Sequence, residues 1–374
     1  MKVLHVITGL GTGGAETMLY WLLSCGSIAE REHRVVCLGG GGAVGEQIKA
    51  LGIHVDVLGG KGRRSALRVT LGATRIARAY RPDIIQGWMY DGNLAAWWVA
   101  KRCGANLAWN VRHSVEDISC EPFDLRLVIR LCALVSTIPD AIIYNSHVAA
   151  GQHEALGFVT KRNRILPNGF DTLVFKPDAV ARTRIRSELG IPDSALLIGK
   201  IARYHPMKDH INFIKAAGEL LHSVPEARFL LAGAGIHNGN RVLLKAVKQA
   251  GIHSRIYFLG ERQDMPAINA ALDIAVSSSA WGEGFSNAIG EAMACGVPCV
   301  VTDVGDGRKI VGESGIVVPP KNPVLMMEAL LTLYRMGPVG RRALGEQARA
   351  RIIERWSLDS VRRQYLALYQ ELSN

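Results

Sequence analysis

At 374 residues, 48% hydrophobic and 21% charged, the chain has the composition of a soluble α/β protein and is too long for one ordinary core. Its formal net charge of +11 points to anionic partners and says nothing about fold. No run approaches the ~18 apolar residues that cross a bilayer, and glycines interrupt the first apolar segment before it could serve as a signal peptide. The seven cysteines are scattered. Cys295 and Cys299 form a lone pair with no histidine nearby, so zinc is not expected and reduced thiols in a cytosolic protein are.

In chain order, residues 2–8 predict a strand, followed by Gly9, Gly11, Gly13 and Gly14 and a helix over 15–24. Strands follow over 34–38, 55–58, 83–86, 107–111 and 141–145. Helices alternate with them, one ending near 51 and others over 65–80, 92–103 and 122–135. The pattern restarts with strands over 196–203, 228–232, 256–259, 274–277 and 299–302, interleaved with helices over 210–223, 240–250, 265–271 and 286–294. Such alternation predicts two doubly wound parallel sheets. Residues 167–193, rich in Pro, Gly, Asp and Asn, read as the break, and 357–372 as an amphipathic helix able to pack on either half. The expected domains are 1–171, 172–355 and a C-terminal helix at 356–374, possibly packed back on the first domain.

Two helices bear on partners. Lys61, Arg63, Arg64, Arg68, Arg75, Arg78 and Arg81 follow one another with no acid among them, and at ~100° per residue Arg64, Arg68, Arg75 and Arg78 share one side. This is either a solvated face or a surface for anionic lipid headgroups or an anionic acceptor. Nucleic acid is not expected, because aromatics do not interleave with the cations. Residues 123–135, FDLRLVIRLCALV, are apolar nearly all round except Asp124, Arg126 and Arg130. They read either as a buried helix or as one that dips into a membrane surface with its arginines on headgroups.

The stretch 281–301, WGEGFSNAIGEAMACGVPCVV, carries Glu283 and Glu291 with seven residues between them, and a helix that starts in a glycine-rich loop. Free N–H groups and the positive dipole end of such a helix suit an anion. Arg203 and Lys208, on a loop leaving a strand of the same half, add two cations at the sheet edge where ligands bind, which together make a diphosphate clamp. Gly9, Gly11 and Gly14 spell a dinucleotide-type G-x-G-x-x-G. The second strand, however, ends Cys37-Leu38-Gly39-Gly40, without the acid that would hold a nicotinamide cofactor's ribose; Glu30 and Glu32 precede it. What survives is a loop that lets a ligand approach the backbone.

Together these residues resemble the retaining glycosyltransferases of family 4. The resemblance covers nearly the whole chain: Gly11-Thr12-Gly13-Gly14-Ala15-Glu16, Asn145-Ser146, Pro167-Asn168-Gly169-Phe170-Asp171, Arg203 with Lys208, Gly233 with Gly235, and the E-x7-E of Glu283 and Glu291. It runs on through Glu291-Ala292-Met293-Ala294-Cys295-Gly296-Val297-Pro298 and the turn 315–320. It implies the GT-B fold, two Rossmann-like domains facing across a cleft. It also implies metal-independent sugar transfer, with retention, from a nucleotide-diphosphate donor, uridine ahead of guanosine, to a glycan acceptor. No cofactor is implied, since the nucleotide sugar is a co-substrate. Arg203 and Lys208 would neutralise the diphosphate, and Glu291 would hold the ribose. Glu283 would face the sugar with the N–H groups near Gly284, Phe285 and Ser286. His113 occupies the family's active-site histidine position, although His113-Ser114 replaces the usual His-Asp. Gly13 and Gly14 would lie near the diphosphate or acceptor, and Asp91 and Asn93 are weaker acceptor-side candidates. Asp303 and Asp306 read as turn residues rather than metal ligands.

With the basic helix and the apolar one, these expectations favour a lipid-linked acceptor and peripheral contact, through 61–81 and 122–135, with the inner face of the cytoplasmic membrane. The competing readings are a nucleotide-sugar epimerase on the same scaffold and a non-catalytic protein that binds membrane surfaces.

Overall fold

A computed structural model describes residues 1–11, 13–24, 32–60 and 65–373. Thr12, Glu30, Lys61, Arg63 and Arg64, named above, lie outside the described residues, as does Cys25, one of the seven cysteines. The chain divides into two compact units, Met1–Gly169 with Leu358–Asn374, and Phe170–Ser357.

In the first unit, β1 (Lys2–Ile7), β2 (Glu32–Cys37), β3 (His54–Val57), β4 (Ile84–Trp88), β5 (Asn106–Val111), β6 (Ala141–Tyr144) and β7 (Asn163–Ile165) form one sheet. Its order is β3-β2-β1-β4-β5-β6-β7, and every pairing is parallel. The central strands are buried on both faces, which is why they read as unbroken apolar runs rather than alternations. One face is covered by Gly14–Leu23, Gly42–Ala50 and the last helix, Leu358–Ser373. Val361, Tyr365, Leu368 and Tyr369 of that last helix enter the core. The Tyr365 hydroxyl accepts from Asn110 Nδ2 at 2.9 Å, and Tyr369 donates to Gln86.

The other face carries Ala66–Tyr80, Met89–Cys103 and Phe123–Leu134, with the middle helix packed against both neighbours. Ala66–Tyr80 buries Val69, Ala73 and Ala77 and turns Arg68, Arg75 and Arg78 outward, beside Leu67 at 65% exposure. Phe123–Leu134 buries Val128, Ile129 and Cys132 and leaves a stripe of Phe123, Leu127, Leu131 and Leu134 exposed, 74% and 78% at its two ends. It is therefore not a wholly buried helix. Among the described residues no helix is long and apolar enough to cross a membrane.

The second unit holds β8 (Leu197–Ile201), β9 (Arg228–Ala232), β10 (Ile256–Phe258), β11 (Ile274–Ser277), β12 (Cys299–Thr302) and β13 (Gly315–Val318), again all parallel, in the order β10-β9-β8-β11-β12-β13. The segment expected as a break contains a helix, Ala179–Glu188. Its Arg182 and Arg186 reach one carboxylate, Asp273, at 2.7 and 2.6 Å, and Arg186 is 1% exposed. The helix is anchored by buried ion pairs, so its sequence shows no apolar periodicity to reveal it.

Candidate active site

The strand order of the second sheet reverses between β8 and β11, and ligands of wound sheets bind at the carboxyl ends of strands where such a reversal opens a crevice. Two loops leave the sheet there, 202–209 and 278–286, and backbone and hydroxyl groups fasten them together. Ala280 N donates to Met207 O at 2.7 Å, and Ser278 Oγ lies 3.1 and 2.8 Å from the carbonyls of Lys208 and Asp209. A third loop braces the second: Asp306 N donates to Gly284 O at 2.9 Å and Thr302 Oγ1 to Ser279 O at 2.7 Å. Gly305, at φ +60°, packs so closely on the Glu283 carbonyl that a side chain there would overlap it. Asp303 is engaged outside this brace, paired with Arg308 at 2.7 Å.

These loops enclose a cavity of about 250 Å³ lined by Lys200, Arg203, Lys208 and Glu283 and by residues 285–288. Lys208 Nζ lies 2.5 Å from Glu283 Oε2, which also accepts from Ser279 Oγ at 2.8 Å. Burial pushes the Glu283 carboxyl up, but Lys208, Ser279 and Lys200 together outweigh it and hold the group below its ordinary value. Arg203 is exposed and makes no hydrogen bond or ion pair among the described residues. Lys208 is held by its neighbour Asp209, which adopts φ +43° and caps His210–Leu221 by accepting from Asn212 N at 3.1 Å.

The helix Asn287–Ala294 begins at this cavity. Its N-cap, Ser286, makes no side-chain cap bond, and residues 285–288 line the wall. Phe285 stacks on Phe170 at 5.9 Å and meets Trp356 edge-on at 5.9 Å, which fixes the loop before the helix. Gly290 makes room for the Phe170 ring, which a Cβ would overlap. Glu291 lies further along this helix, partly exposed and not among the residues lining the cavity. Its carboxyl makes no hydrogen bond or ion pair among the described residues, and burial pushes that group up to about 8.

Lys200 was missed in the sequence. It stands in the apolar strand LIGKI and is 1% exposed, yet lines the cavity. A lysine in a strand expected to be buried on both faces was the available signal.

In the first unit, His113 follows β5. Its Nδ1 lies 3.3 Å from the Tyr90 hydroxyl and its Nε2 3.3 Å from Glu121 Oε1. The same Tyr90 hydroxyl is 2.7 Å from His153 Nε2, and His153 Nδ1 is 2.7 Å from the Ala149 carbonyl. Because a carbonyl only accepts, His153 carries its proton on Nδ1 and accepts from Tyr90 on Nε2. Tyr90 then accepts from His113 Nδ1–H, and because the Glu121 carboxylate also only accepts, His113 Nε2 must donate to it, so the two contacts together suit the imidazolium form of His113. Burial lowers the His113 pKa and Glu121 partly restores it, while burial takes His153 down to about 4.

The glycine loop after β1 leads to Gly13 as N-cap of Gly14–Leu23. The Glu16 carboxylate folds back over Gly13, where a Cβ would have to push it aside, and this helix end already carries an acid of the chain itself. Asp91 is exposed in the first turn of Met89–Cys103. Asn93, expected on the acceptor side, is fully buried, and its Oδ1 accepts from Asn110 N at 3.2 Å. That hydrogen bond ties a helix to β5 and leaves Asn93 no face for an acceptor.

The family described as "Glycosyl transferase 4-like domain" matches residues 13–169, and that described as "Glycosyl transferases group 1" matches 194–336. The chain belongs to the group 1 glycosyltransferases. Among relatives, it is 28% identical over 232 residues to lipopolysaccharide core biosynthesis mannosyltransferase LpsB of Rhizobium meliloti, a match covering 60% of this chain and 65% of LpsB. It is 32% identical over 203 residues to the GDP-mannose-dependent monoacylated alpha-(1-6)-phosphatidylinositol monomannoside mannosyltransferase of Corynebacterium glutamicum, covering 51% of this chain and 52% of that one. The chain thus spans about half to two-thirds of the length of these two relatives. The structure of Anabaena Alr3699/HepE in complex with UDP matches with a TM-score of 0.87 at 20% identity, covering 99% of this chain and 100% of HepE. The fold is GT-B, two Rossmann-like units with parallel sheets of seven and six strands.

In this glycosyltransferase, two lysines, an arginine and a helix N-terminus converge on one small cavity with a single carboxylate. Such a wall is suited to a group that carries negative charge, and one donor aimed at developing charge is worth about 3–4 kcal/mol.

Proposed function

We propose that the chain transfers a sugar from a nucleoside-diphosphate donor, with retention and without a metal ion, to a lipid-linked glycan in the synthesis of a surface polysaccharide or glycolipid. The observation that carries this reading is the cavity at the β8/β11 reversal, where Arg203 and Lys208 stand with Glu283 and the start of Asn287–Ala294. Arg203 and Lys208 take the diphosphate, Glu283 and the backbone of Gly284, Phe285 and Ser286 take the sugar, and Glu291 takes the ribose. His113 takes part in catalysis. Gly13 and Gly14 let donor or acceptor approach the backbone, and Asp91 is the remaining acceptor-side candidate. Transfer proceeds on one face of the sugar, the acceptor entering where the diphosphate leaves and the diphosphate taking its proton.

Uridine is the favoured base. HepE was solved with UDP and with UDP-glucose, whereas the C. glutamicum relative is named as GDP-mannose-dependent, so both belong in the test. Support for a lipid-linked acceptor is the exposed stripe Phe123, Leu127, Leu131 and Leu134 with Arg130, together with the outward Arg68, Arg75 and Arg78. Apolar side chains set among cations suit the boundary of an anionic bilayer, here the cytoplasmic face of the membrane. The names of LpsB and the C. glutamicum enzyme, which refer to lipopolysaccharide and phosphatidylinositol, agree with that choice.

The test is a panel of UDP-, GDP- and ADP-sugars incubated with wild type and Glu291→Ala. Release of free sugar and nucleoside diphosphate by wild type, lost in the variant, supports transfer. Interconversion of the donor without release would make the chain an epimerase.

A further inference from the structure

Lys200 is left without a counter-ion by the arrangement around it. The one carboxylate on the cavity wall, Glu283, is taken by Lys208 at 2.5 Å and by the Ser279 hydroxyl at 2.8 Å. The Lys200 amine makes no hydrogen bond or ion pair among the described residues, although the residue is 1% exposed and lines the same cavity. Its strand neighbours offer nothing ionisable: Leu231 is its register partner on β9, and Val276 of β11 lines the cavity beside it. The charged and titratable groups around it are Lys208, Glu283, Asp209 and His210, with Arg203 on the cavity wall and His205 on the loop between. A buried amine with no partner is costly unless something supplies the missing negative charge.

We propose that Lys200 is a third cation of the donor pocket, and that the phosphate groups of a nucleoside diphosphate bind there together with a proton taken up by Lys200. The proposal rests on the donor reading above and adds to it a residue and a proton. Burial first, and then repulsion from Lys208, lower the Lys200 pKa to about 7 against partial restoration by Glu283 and Asp209. Near neutrality the amine is thus about half protonated. Phosphate oxygens bring negative charge to the same cavity and favour the ammonium form, so the amine completes its protonation as the nucleotide enters. The balance is simple: one proton moves from solvent to Lys200 Nζ, and no covalent bond of the nucleotide changes. Arg203 cannot play this part, because a guanidinium stays charged throughout.

The test is calorimetric titration with UDP and GDP at pH 7 in two buffers of different ionisation enthalpy, using wild type, Lys200→Met and Lys200→Arg. Wild type is expected to take up about half a proton per nucleotide, and its affinity to fall roughly tenfold between pH 6.5 and 8.5. Lys200→Met should bind more weakly and lose that uptake. Lys200→Arg should bind without uptake, which separates the proton from the mere presence of charge. Protons exchanged by the nucleotide and by His205 are common to all three proteins, and Lys200→Arg keeps a cation beside His210, whose pKa Lys200 itself helps to lower. Equal uptake and affinity in wild type and Lys200→Met would overturn the proposal while leaving the donor site standing. Failure of wild type to bind any nucleoside diphosphate would remove both.

Discussion

The ammonium of Lys208 and the carboxylate of Glu283, 2.5 Å apart, hold each other in a buried pocket at the edge of the second sheet. Lys208 therefore has two duties, neutralising Glu283 and facing the ligand, and its removal touches both. Lys208→Ala is expected to lower turnover by about a hundredfold. It should also raise the Glu283 pKa, because burial then meets only Ser279 and Lys200. The Glu283 pKa is depressed in the folded protein, so its contribution to stability is present above the ordinary carboxylate range and lost as pH falls through the folded value. Thermal melts from pH 7 to pH 4 should show a smaller acid-induced loss in Lys208→Ala than in wild type. Unchanged turnover would remove Lys208 from the clamp.

Glu291 titrates in the opposite sense. Its carboxyl is raised from 4.5 to about 8, so its contribution is fully present below pH 4.5 and is lost as pH rises through 8. Glu291→Gln, which keeps the shape of the neutral acid, should match wild type near pH 5. It should melt at a higher temperature than wild type at pH 9. Identical melting at both pH values would mean that the carboxylate is ionised throughout.

A proton on His113 Nδ1 is required at a distance by the Ala149 carbonyl, through His153 and Tyr90, while Glu121 requires one on Nε2. Nitrogen-edited NMR of the histidine rings should show His113 protonated on Nδ1 in wild type. Tyr90→Phe should erase that preference and lower kcat with little change in KM. His113→Ala should lower kcat by about a hundredfold. A His113 already mixed between tautomers in wild type would break the chain of inference.

Much of the architecture could be read from apolar runs and glycine spacing, because a parallel sheet buried on both faces leaves long unbroken apolar strands. The site was legible where chemistry stands on loops, as with Arg203, Lys208 and Glu283. It was hidden wherever a polar group is buried inside an element. Lys200 lies in a strand otherwise without charge, and Asn93 looks like a ligand but joins a helix to β5. Glu16 looks like an ordinary first-turn acid until the structure folds it over Gly13. The stripe from Phe123 to Leu134 misleads in the other direction, since its leucines suggest a core position while the fold leaves one side open.

That open side invites a direct measurement. Wild type should float with vesicles containing anionic lipid and stay behind with neutral ones. Leu127→Glu combined with Leu131→Glu, both on the exposed stripe, should abolish flotation without changing nucleotide affinity. Flotation that survives the double substitution would exclude this helix as the contact.

Gly290 lies beneath the Phe170 ring, which in turn stacks on Phe285. Gly290→Ala should force the ring aside at a cost of about 1–3 kcal/mol. Loss of donor affinity is expected to accompany the lower melting temperature, because Phe285 belongs to the cavity wall. A stable variant with normal affinity would show that the ring has room to move.

The return of the chain to its first unit at Leu358 has a consequence for biosynthesis. Although its sheet is made first, that unit lacks Val361, Tyr365, Leu368 and Tyr369 until all of Phe170–Ser357 has been translated. At ribosomal speed this interval lasts roughly ten to forty seconds. Throughout it the sheet face that receives those four side chains is bare. The unit translated second can be finished before the unit translated first, and the nascent chain offers an apolar surface to chaperones in the meantime.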